Sequence, residues 1–217
     1  MSTMSKLAEI KKIYKQIKPK IITRLQQFEE VWATYSDKHL FAELTFCLLT
    51  PQSKARMCWA SVERLISHDV LFTGTNAEII EHLEGVRFHN NKTKNIIEAR
   101  DKFIQNEKFI LKSTIDSYKD VKDARTYLVQ NVKGFGWKEA SHFLRNIGKG
   151  AEITILDRHI LRNLIALDVI DEIPKSLSPR KYIEIEDKMT QFAKQHKIPL
   201  AHLDIVLWYK EAGEIFK

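Results

Sequence analysis

Hydrophobic residues recur at steps of three and four through most of the chain, which is the spacing of amphipathic helices. One row covers residues 7–17 and a second covers residues 21–32, and Pro19 between them predicts two separate helices. Residues 39–50 are apolar on most sides, which predicts a central buried helix that ends at Pro51. The first part of the chain is therefore predicted to be helical.

The later chain continues this pattern. Ser178 followed by Pro179 predicts a helix start, because serine caps a first turn and proline fits its first position. A last helix is predicted to begin near Pro199, and only residues 152–156 alternate as a short β-like run. The sequence therefore predicts an all-α fold.

The stretch from Val132 to Ala140 interrupts the helical pattern with Gly134 and Gly136. Glycine can adopt positive φ, and its N–H group can approach a bound group closely. The helix that follows presents unpaired N–H groups in the same direction, which favours an anion. We predict a helix, a glycine hairpin and a second helix that bind a phosphate, with Lys133 beside the glycines.

Composition narrows the class of protein. The 217 residues suffice for one large domain or two small lobes, and 44% hydrophobic with 29% charged residues is ordinary for a folded globular chain. Lys and Arg number 35 against 28 Asp and Glu, a formal charge of +7, which favours a polyanionic partner such as nucleic acid.

The two cysteines, Cys47 and Cys58, lie in apolar helical surroundings and share no metal-ligand spacing with histidines. We expect buried thiols in a reducing compartment, since an iron–sulfur cluster needs four clustered cysteines. No run of about 18 apolar residues occurs, and residues 1–6 lack the apolar core of a signal peptide. We therefore expect an intracellular, soluble protein with no membrane partner.

Two residues near the hairpin carry candidate chemistry. Lys138 follows the glycines, and a lysine there is either a solvated surface residue or an amine nucleophile. Asp157 directly precedes a helical pattern that runs to about Leu167. A carboxylate in that position caps the helix and is stabilised by its dipole, and this role is compatible with catalysis.

Two polar loops interrupt the first half of the chain. Residues 50–54 form either a capped helix break or a loop whose Gln52 reaches into a duplex. Residues 85–94 interleave basic and aromatic side chains, including Arg87 and Phe88, which suits phosphate contact and base stacking. Phe88 fits a core position equally well, and that is the commoner place for a phenylalanine.

The glycine hairpin, Lys138 in this register and the Leu-Asp-Arg-His run at Asp157 together resemble the helix-hairpin-helix DNA glycosylase superfamily. Its bifunctional members have a lysine after the hairpin glycines and an aspartate about a score of residues later. Within it, the short chain, the Arg87-Phe88 loop, the segment 204–208 and the final lysine resemble the second family of 8-oxoguanine DNA glycosylase/lyases, found in archaea and some bacteria. The resemblance covers roughly residues 41–217.

The resemblance implies two helical lobes with the active site in the cleft between them. We expect residues 1–217 to form one glycosylase unit, with one lobe over 36–115 and the hairpin lobe over 1–35 plus 116–217. The implied partner is double-stranded DNA containing 8-oxoguanine, and we expect a monomer in the cytoplasm or nucleoid.

The implied activity is that of an 8-oxoguanine DNA N-glycosylase and apurinic/apyrimidinic site lyase, which repairs DNA by base excision. Lys138 is implied to attack the sugar of the damaged nucleotide, expel the base and form a Schiff base, after which β-elimination nicks the strand. Asp157 is implied to stabilise positive charge on the sugar and to help move protons. This chemistry needs no metal and no organic cofactor.

Further roles follow from the same resemblance. Phe88 and Trp208 correspond to the pair that stacks on the displaced base, Asp204 joins the substrate-binding residues, and the terminal carboxylate of Lys217 is implied to contact the base. Gln52 resembles a side chain that relatives insert into the duplex. The residues implied to hold DNA phosphate are Lys133, Gly134 and Gly136, whereas Trp137 and Glu139 stand where many relatives have arginine and threonine.

Three alternatives remain at this point. An endonuclease III-like glycosylase for oxidised pyrimidines is disfavoured by the absent cysteine cluster and the final lysine. A non-catalytic helix-hairpin-helix DNA-binding protein explains the glycines and the charge, but not Lys138 together with Asp157. A nucleotide-binding P-loop at residues 148–150 lacks the preceding glycine spacing and the following Ser or Thr.

Overall fold

The computed structural model describes residues 3–217; the first two residues of the unit predicted over 1–217 lie outside the described range. Helices and one short antiparallel hairpin make up the regular structure of this range, so the all-α prediction is confirmed apart from the hairpin. The elements are α1 (Thr3–Thr34), α2 (Asp37–Leu49), α3 (Ala55–Ser67), α4 (Val70–Thr73), α5 (Asn76–Glu81), α6 (His89–Lys102), β1 (Ile104–Gln105), β2 (Lys108–Phe109), α7 (Leu111–Asp116), α8 (Val121–Asn131), α9 (Trp137–Asn146), α10 (Arg158–Ala166), α11 (Pro179–Gln195) and α12 (Leu200–Ala212).

Several predicted helix ends are confirmed. Helix α2 is buried along residues 40–49 and ends before Pro51. Ser178 caps α11 by accepting a hydrogen bond from the Lys181 N–H, and Pro179 occupies the first turn. Helix α12 begins directly after Pro199. Local sequence signals therefore determine these boundaries.

Pro19 lies inside α1, so the predicted break between two helices is wrong. A proline in a helix interior loses one backbone hydrogen bond and crowds the preceding turn, which costs about 3 kcal/mol. Ile17 and Ile21, on either side of it, are buried, and α1 packs along α12. Burying two isoleucines contributes about 1.5–3 kcal/mol each, which outweighs the cost of the proline.

Residue 152 belongs to a turn and residues 153–156 form no strand, so the β-like interpretation is wrong. Backbone N–H groups of this segment donate to side chains of α11 and α12 instead of to a neighbouring strand. The segment is thereby held against both helices just before Asp157. The pairs are Thr154 with Glu186 (2.8 Å), Ile155 with Asp204 (3.0 Å) and Leu156 with the Tyr182 hydroxyl (3.1 Å).

The strands lie elsewhere, in β1 and β2. Their connection consists of Asn106 and Glu107, both with positive φ (49° and 62°), as a two-residue type I′ hairpin turn requires. Each strand has only two residues, which is too short to show alternation in the sequence.

Buried apolar side chains form two clusters. The first lies within residues 40–153 and includes the inner faces of α2, α8 and α9. The second joins residues 10–21 of α1 to residues 156–207. The lobe boundaries proposed from the sequence remain a prediction. Both cysteines lie in the first cluster as free buried thiols, as expected.

A buried ion pair ties α8 to α11. Arg125 donates two hydrogen bonds to the Glu186 carboxylate, at 2.7 and 2.8 Å, and both side chains are inaccessible to solvent. The guanidinium carbon also lies 4.7 Å from the centroid of the Trp137 ring, at the start of α9. Glu186 accepts the Thr154 N–H as well. One side-chain pair thus connects four segments: α8, α11, the start of α9 and the segment that contains Thr154.

We predict that Arg125→Met lowers the free energy of unfolding by about 3–5 kcal/mol, because it leaves the Glu186 carboxylate buried without its cation. Urea unfolding followed by circular dichroism measures the change. Lys181→Met, which removes an exposed partner of Glu184, is the control and should have a much smaller effect. The double variant Arg125→Met/Glu186→Leu should recover part of the loss, and a loss equal to that of the single variant would contradict this explanation.

Candidate active site

An open cleft of about 1090 Å³ lies between the loop after α2, the face of α9, the start of α10 and the end of the chain. It brings together residues that are far apart in sequence. Of the residues singled out from the sequence, six line the cleft: Gln52, Lys138, Asp157, Asp204, Trp208 and Lys217. The other four lie outside its lining: Phe88, Lys133, Gly134 and Gly136.

Lys138 is the second residue of α9, and Gly136, the N-cap of this helix, lies two residues before it. Its side chain is 25% exposed, so the interpretation as a fully solvated surface lysine does not hold. The ammonium nitrogen lies 3.6 Å from Glu139 Oε1. Glu139 uses its other oxygen, Oε2, to accept the Gly136 N–H at 3.1 Å. The same carboxylate therefore holds the hairpin turn and the lysine.

Asp157 is the N-cap of α10, as predicted. Its Oδ1 accepts the Ile160 N–H at 2.8 Å, and its own N–H donates to the Ile155 carbonyl. The cap occupies Oδ1, and Asp157 lines the cleft together with Lys138. The carboxylate is thus anchored by the helix while it faces the space that a substrate would fill.

The hairpin adopts only part of the expected geometry. Gly134 has φ +85°, and a Cβ added there would lie 2.3 Å from the Asn95 amide nitrogen, so glycine is required. Gly136 has φ −94°, so it does not use the positive φ that glycine allows, and its N–H is bonded to Glu139. Lys133 pairs with Glu98 at 2.7 Å on the surface. A phosphate at the hairpin would have to compete with Glu98 for Lys133.

A buried carboxylate faces a buried guanidinium on the cleft wall. Asp204 Oδ2 lies 3.5 Å from Arg145 Nη1, and Asp204 Oδ1 accepts the Ile155 N–H. Burial raises the pKa of Asp204 to about 6; Arg145 and the Ile155 N–H act in the opposite direction, and the nearby charge of Asp157 adds to the rise. Asp204 therefore changes its charge close to neutral pH.

The side chain of Lys217 is partly buried in the cleft wall. The Lys217 ammonium forms an ion pair with Glu43, a fully buried carboxylate of α2, and lies 3.3 Å from the centroid of the Trp59 ring. Burial lowers the pKa of Lys217, and the Glu43 charge opposes that shift. The ion pair and the aromatic ring fix residue 217 beside the cleft.

His142 also lines the cleft, and sequence reasoning missed it. Burial, assisted by the positive charges of Arg145 and Lys138, holds the pKa of His142 well below its ordinary value, so the imidazole is neutral. The detectable signal was a polar row at helical spacing, Lys138, His142 and Arg145, on the otherwise apolar face of α9. Glu43 gave no such signal, because it is one polar residue in a buried apolar helix.

Phe88 lies on the rim rather than in the core. Its side chain is 54% exposed, and it precedes α6 with φ 59°, so the core interpretation is wrong. The Arg87 guanidinium lies 5.5 Å from the centroid of its ring, and Arg87 itself lines the cleft. Gln52 is similarly exposed, in the loop between α2 and α3. In this structure, Phe88 and Trp208 do not face each other across one pocket.

Across residues 3–217, no group of three or more His, Cys, Asp or Glu side chains is arranged to hold a metal ion. No helix in the same range is long and apolar enough to cross a membrane.

Comparisons with known proteins agree on one family. The family model for 8-oxoguanine DNA glycosylase matches residues 21–198. The chain is 47% identical to the 8-oxoguanine DNA glycosylase/AP lyase of Fusobacterium nucleatum, over 96% of both chains. It superimposes on the Methanocaldococcus jannaschii enzyme crystallised with a 15mer DNA containing 8-oxoguanine, with TM-score 0.86, 36% identity and coverage of 97% and 100%. The Thermotoga maritima enzyme gives TM-score 0.87 at 31% identity, covering 99% and 100%.

The raised pKa of Asp204 predicts a specific pH dependence. Because the folded protein binds this proton more tightly than the unfolded chain, whose pKa is 3.8, the stabilisation is complete below pH 3.8 and is lost as pH rises through about 6. Relative to Asp204→Asn, the unfolding free energy of the wild type should fall by about 2 kcal/mol between pH 4 and pH 7. Urea unfolding at several pH values measures this, with exposed Asp187→Asn as control. A difference independent of pH would contradict it.

Proposed function

The chain belongs to the 8-oxoguanine DNA glycosylase family, and from this premise we propose that it excises 8-oxoguanine from duplex DNA and cleaves the strand at the resulting site. One observation carries the proposal: an amine, Lys138, and a capped carboxylate, Asp157, line the same cleft. They come from the first turn of α9 and the N-cap of α10. A helix-hairpin-helix module that only docks on DNA would need neither.

The first step forms a covalent intermediate. The unprotonated Lys138 amine attacks C1′ of the damaged nucleotide, the bond from C1′ to the base breaks, and the base leaves with the bonding electrons and takes up a proton. Glu139, 3.6 Å from the amine, is placed to accept the proton that Lys138 must lose. Asp157 stabilises the positive charge that develops on the sugar, since its carboxylate faces the cleft.

The second step breaks the strand. Cleavage of the C1′–O4′ bond then opens the sugar ring, O4′ takes up a proton, and the adduct becomes a protonated Schiff base, which acidifies the C2′ proton. Removal of that proton expels the 3′ phosphate by β-elimination, and water then hydrolyses the imine and frees Lys138. Asp157 is the carboxylate available to carry protons in these steps.

The displaced base would occupy the cleft, because a buried base cannot react inside the stack. Trp208 offers an aromatic wall, Asp204 a polar contact, and residue 217 lies at the same surface. We propose that the terminal carboxylate of Lys217 accepts hydrogen bonds from the N–H donors of the base. Phe88 lies at the rim with an exposed side chain, so its stacking role requires that side chain to turn towards the displaced base when DNA binds.

DNA would dock through two surfaces. The hairpin, with Lys133, Gly134 and Gly136, is proposed to hold a phosphate beside Lys138, which positions the sugar without reading sequence. Gln52, exposed at the cleft, is proposed to enter the space left by the displaced base. Since the substrate is chromosomal DNA, we propose that the protein acts in the nucleoid.

We predict that sodium borohydride traps a covalent adduct between the wild type and a duplex oligonucleotide containing 8-oxoguanine, and that Lys138→Gln forms none. Borohydride reduces the Schiff base to a stable amine, and denaturing electrophoresis measures the adduct. Lys188→Gln, on the surface of α11, is the matched control and should react like the wild type. No adduct with the wild type, or an undiminished one with Lys138→Gln, would refute the mechanism.

We also predict that Glu43→Gln weakens selection of the damaged base. With Glu43 neutral, the buried Lys217 ammonium loses its partner, and residue 217 leaves the cleft wall. Excision of 8-oxoguanine should fall by roughly tenfold, the equivalent of about 1.4 kcal/mol, while cleavage at a preformed abasic site is retained. Single-turnover rates on the two oligonucleotides measure this.

Adding one residue after Lys217 should reproduce the effect of Glu43→Gln, whereas exposed Glu63→Gln should not change either rate. Equal losses on both substrates would contradict a role in base selection.

A further inference from the structure

Two loops at the cleft each hold a non-glycine residue in the left-handed region. Gln52 has φ 56° in the loop between α2 and α3, and Phe88 has φ 59° directly before α6. Both side chains are exposed. Such residues cost of order 1–3 kcal/mol each and persist only where the surrounding structure holds the backbone in place.

The first loop is held by the ammonium of Lys92, a residue of α6 that is only 5% exposed. Its Nζ donates to the Leu49 carbonyl at 2.7 Å, the Pro51 carbonyl at 2.8 Å and Ser53 Oγ at 3.1 Å. Pro51 and Ser53 lie immediately before and after Gln52, and Leu49 is the last residue of α2. An ammonium has three protons, and all three are used here, one at the helix end and two on the loop.

The second loop is tied to the first through the Ser53 side chain and to Lys92 through the backbone of α6. The backbone N–H of Lys92 donates to the Phe88 carbonyl at 3.1 Å, in the first turn of α6. Ser53 Oγ accepts the backbone N–H of Arg87 at 3.0 Å as well as the Lys92 ammonium. Lys92 and Ser53 therefore link the two left-handed residues through a chain of hydrogen bonds.

Capping the end of α2 would require only one of the three bonds that the Lys92 ammonium makes. A bond to the Leu49 carbonyl satisfies the helix end, but the bonds to Pro51 and Ser53 act beyond it, on the loop. Burying a lysine is costly, as shown by the pKa of Lys92, which burial lowers. The charged groups around it are Lys138, Arg87 and Glu139, which also surround the candidate active site.

We propose that Lys92 is a positioning residue that locks the 50–54 and 85–88 loops together, so that Gln52 and Phe88 engage the duplex as one preformed unit. This inference rests on the proposed function. The locked loops have their backbone conformation before DNA arrives. Binding therefore does not lose the conformational entropy that ordering these loops would otherwise cost. Lys92 touches neither the sugar nor the base and acts only through these two loops.

The test uses a duplex with 2-aminopurine next to 8-oxoguanine, because 2-aminopurine brightens when its neighbours unstack. In the inactive Lys138→Gln background, excess protein should raise the fluorescence, and adding Lys92→Met should abolish most of that rise. In the active enzyme, Lys92→Met should reduce excision from duplex DNA by roughly 100-fold, as expected for misplaced DNA-contacting groups. Cleavage of a single-stranded oligonucleotide with a preformed abasic site should stay at the wild-type rate.

Lys94→Met, an exposed lysine two residues along α6, is the matched control and should leave all readouts unchanged. Ser53→Ala keeps the bonds of Lys92 to the two carbonyls but breaks the link to Arg87, so it tests the proposal without removing a buried charge. Ser53→Ala should reduce the fluorescence rise, as Lys92→Met does. The double variant should show no smaller rise than Lys92→Met alone, since both residues act in one network.

Equal losses on single-stranded and duplex substrates would overturn the proposal, because they would show a general effect on folding. Unchanged fluorescence with Lys92→Met would overturn it too. A protein that raises the fluorescence but excises no base would instead refute the proposed function, and the fluorescence comparison would still decide the role of Lys92.

Discussion

The buried pair of Arg125 and Glu186 is the interaction on which the candidate active site depends. Arg125 packs against Trp137, the residue before Lys138, and Glu186 holds the Thr154 N–H, three residues before Asp157. The pair thereby relates the segment that presents the amine to the segment that presents the carboxylate. Neither segment could fix the position of Lys138 relative to Asp157 by itself. Lys138 lies at the start of a helix that follows a hairpin, and Asp157 follows a segment that pairs with no strand.

The cleft combines positive and negative groups in close pairs. Lys138 lies near Glu139, Arg145 near Asp204, and Lys217 beside Glu43. Pairing keeps buried charges tolerable, since an isolated charge in such a place would be far more costly. Arg87 and Lys133 lie nearer the outside, where the DNA backbone would approach a chain of net charge +7. The arrangement separates groups suited to sugar chemistry from groups suited to phosphate contact.

Much of the helical structure was predictable from local signals, and the errors have physical causes. Ser178 and Asp157 cap helices because a short side chain bonds N–H groups three residues away, which needs no tertiary contact. Pro19 failed to break α1 because packing against α12 outweighed a local cost. Phe88 did not enter the core because it belongs to a loop whose backbone is held by bonds to other segments. Each error concerns a residue whose position is determined by distant partners.

The sequence by itself determined the helical class, the hairpin with its glycine at position 134, and the two candidate reactive groups, Lys138 and Asp157. These follow from residue types and short spacings, which act over one or two helical turns. The tertiary structure alone decided that Glu43 meets Lys217, that His142 lies neutral in the cleft, and that Lys92 joins two loops. The contacts of Lys217 and Lys92 join residues 39 to 174 positions apart, which no local pattern encodes. The neutral state of His142 depends on its burial, which the polar row on α9 does not reveal.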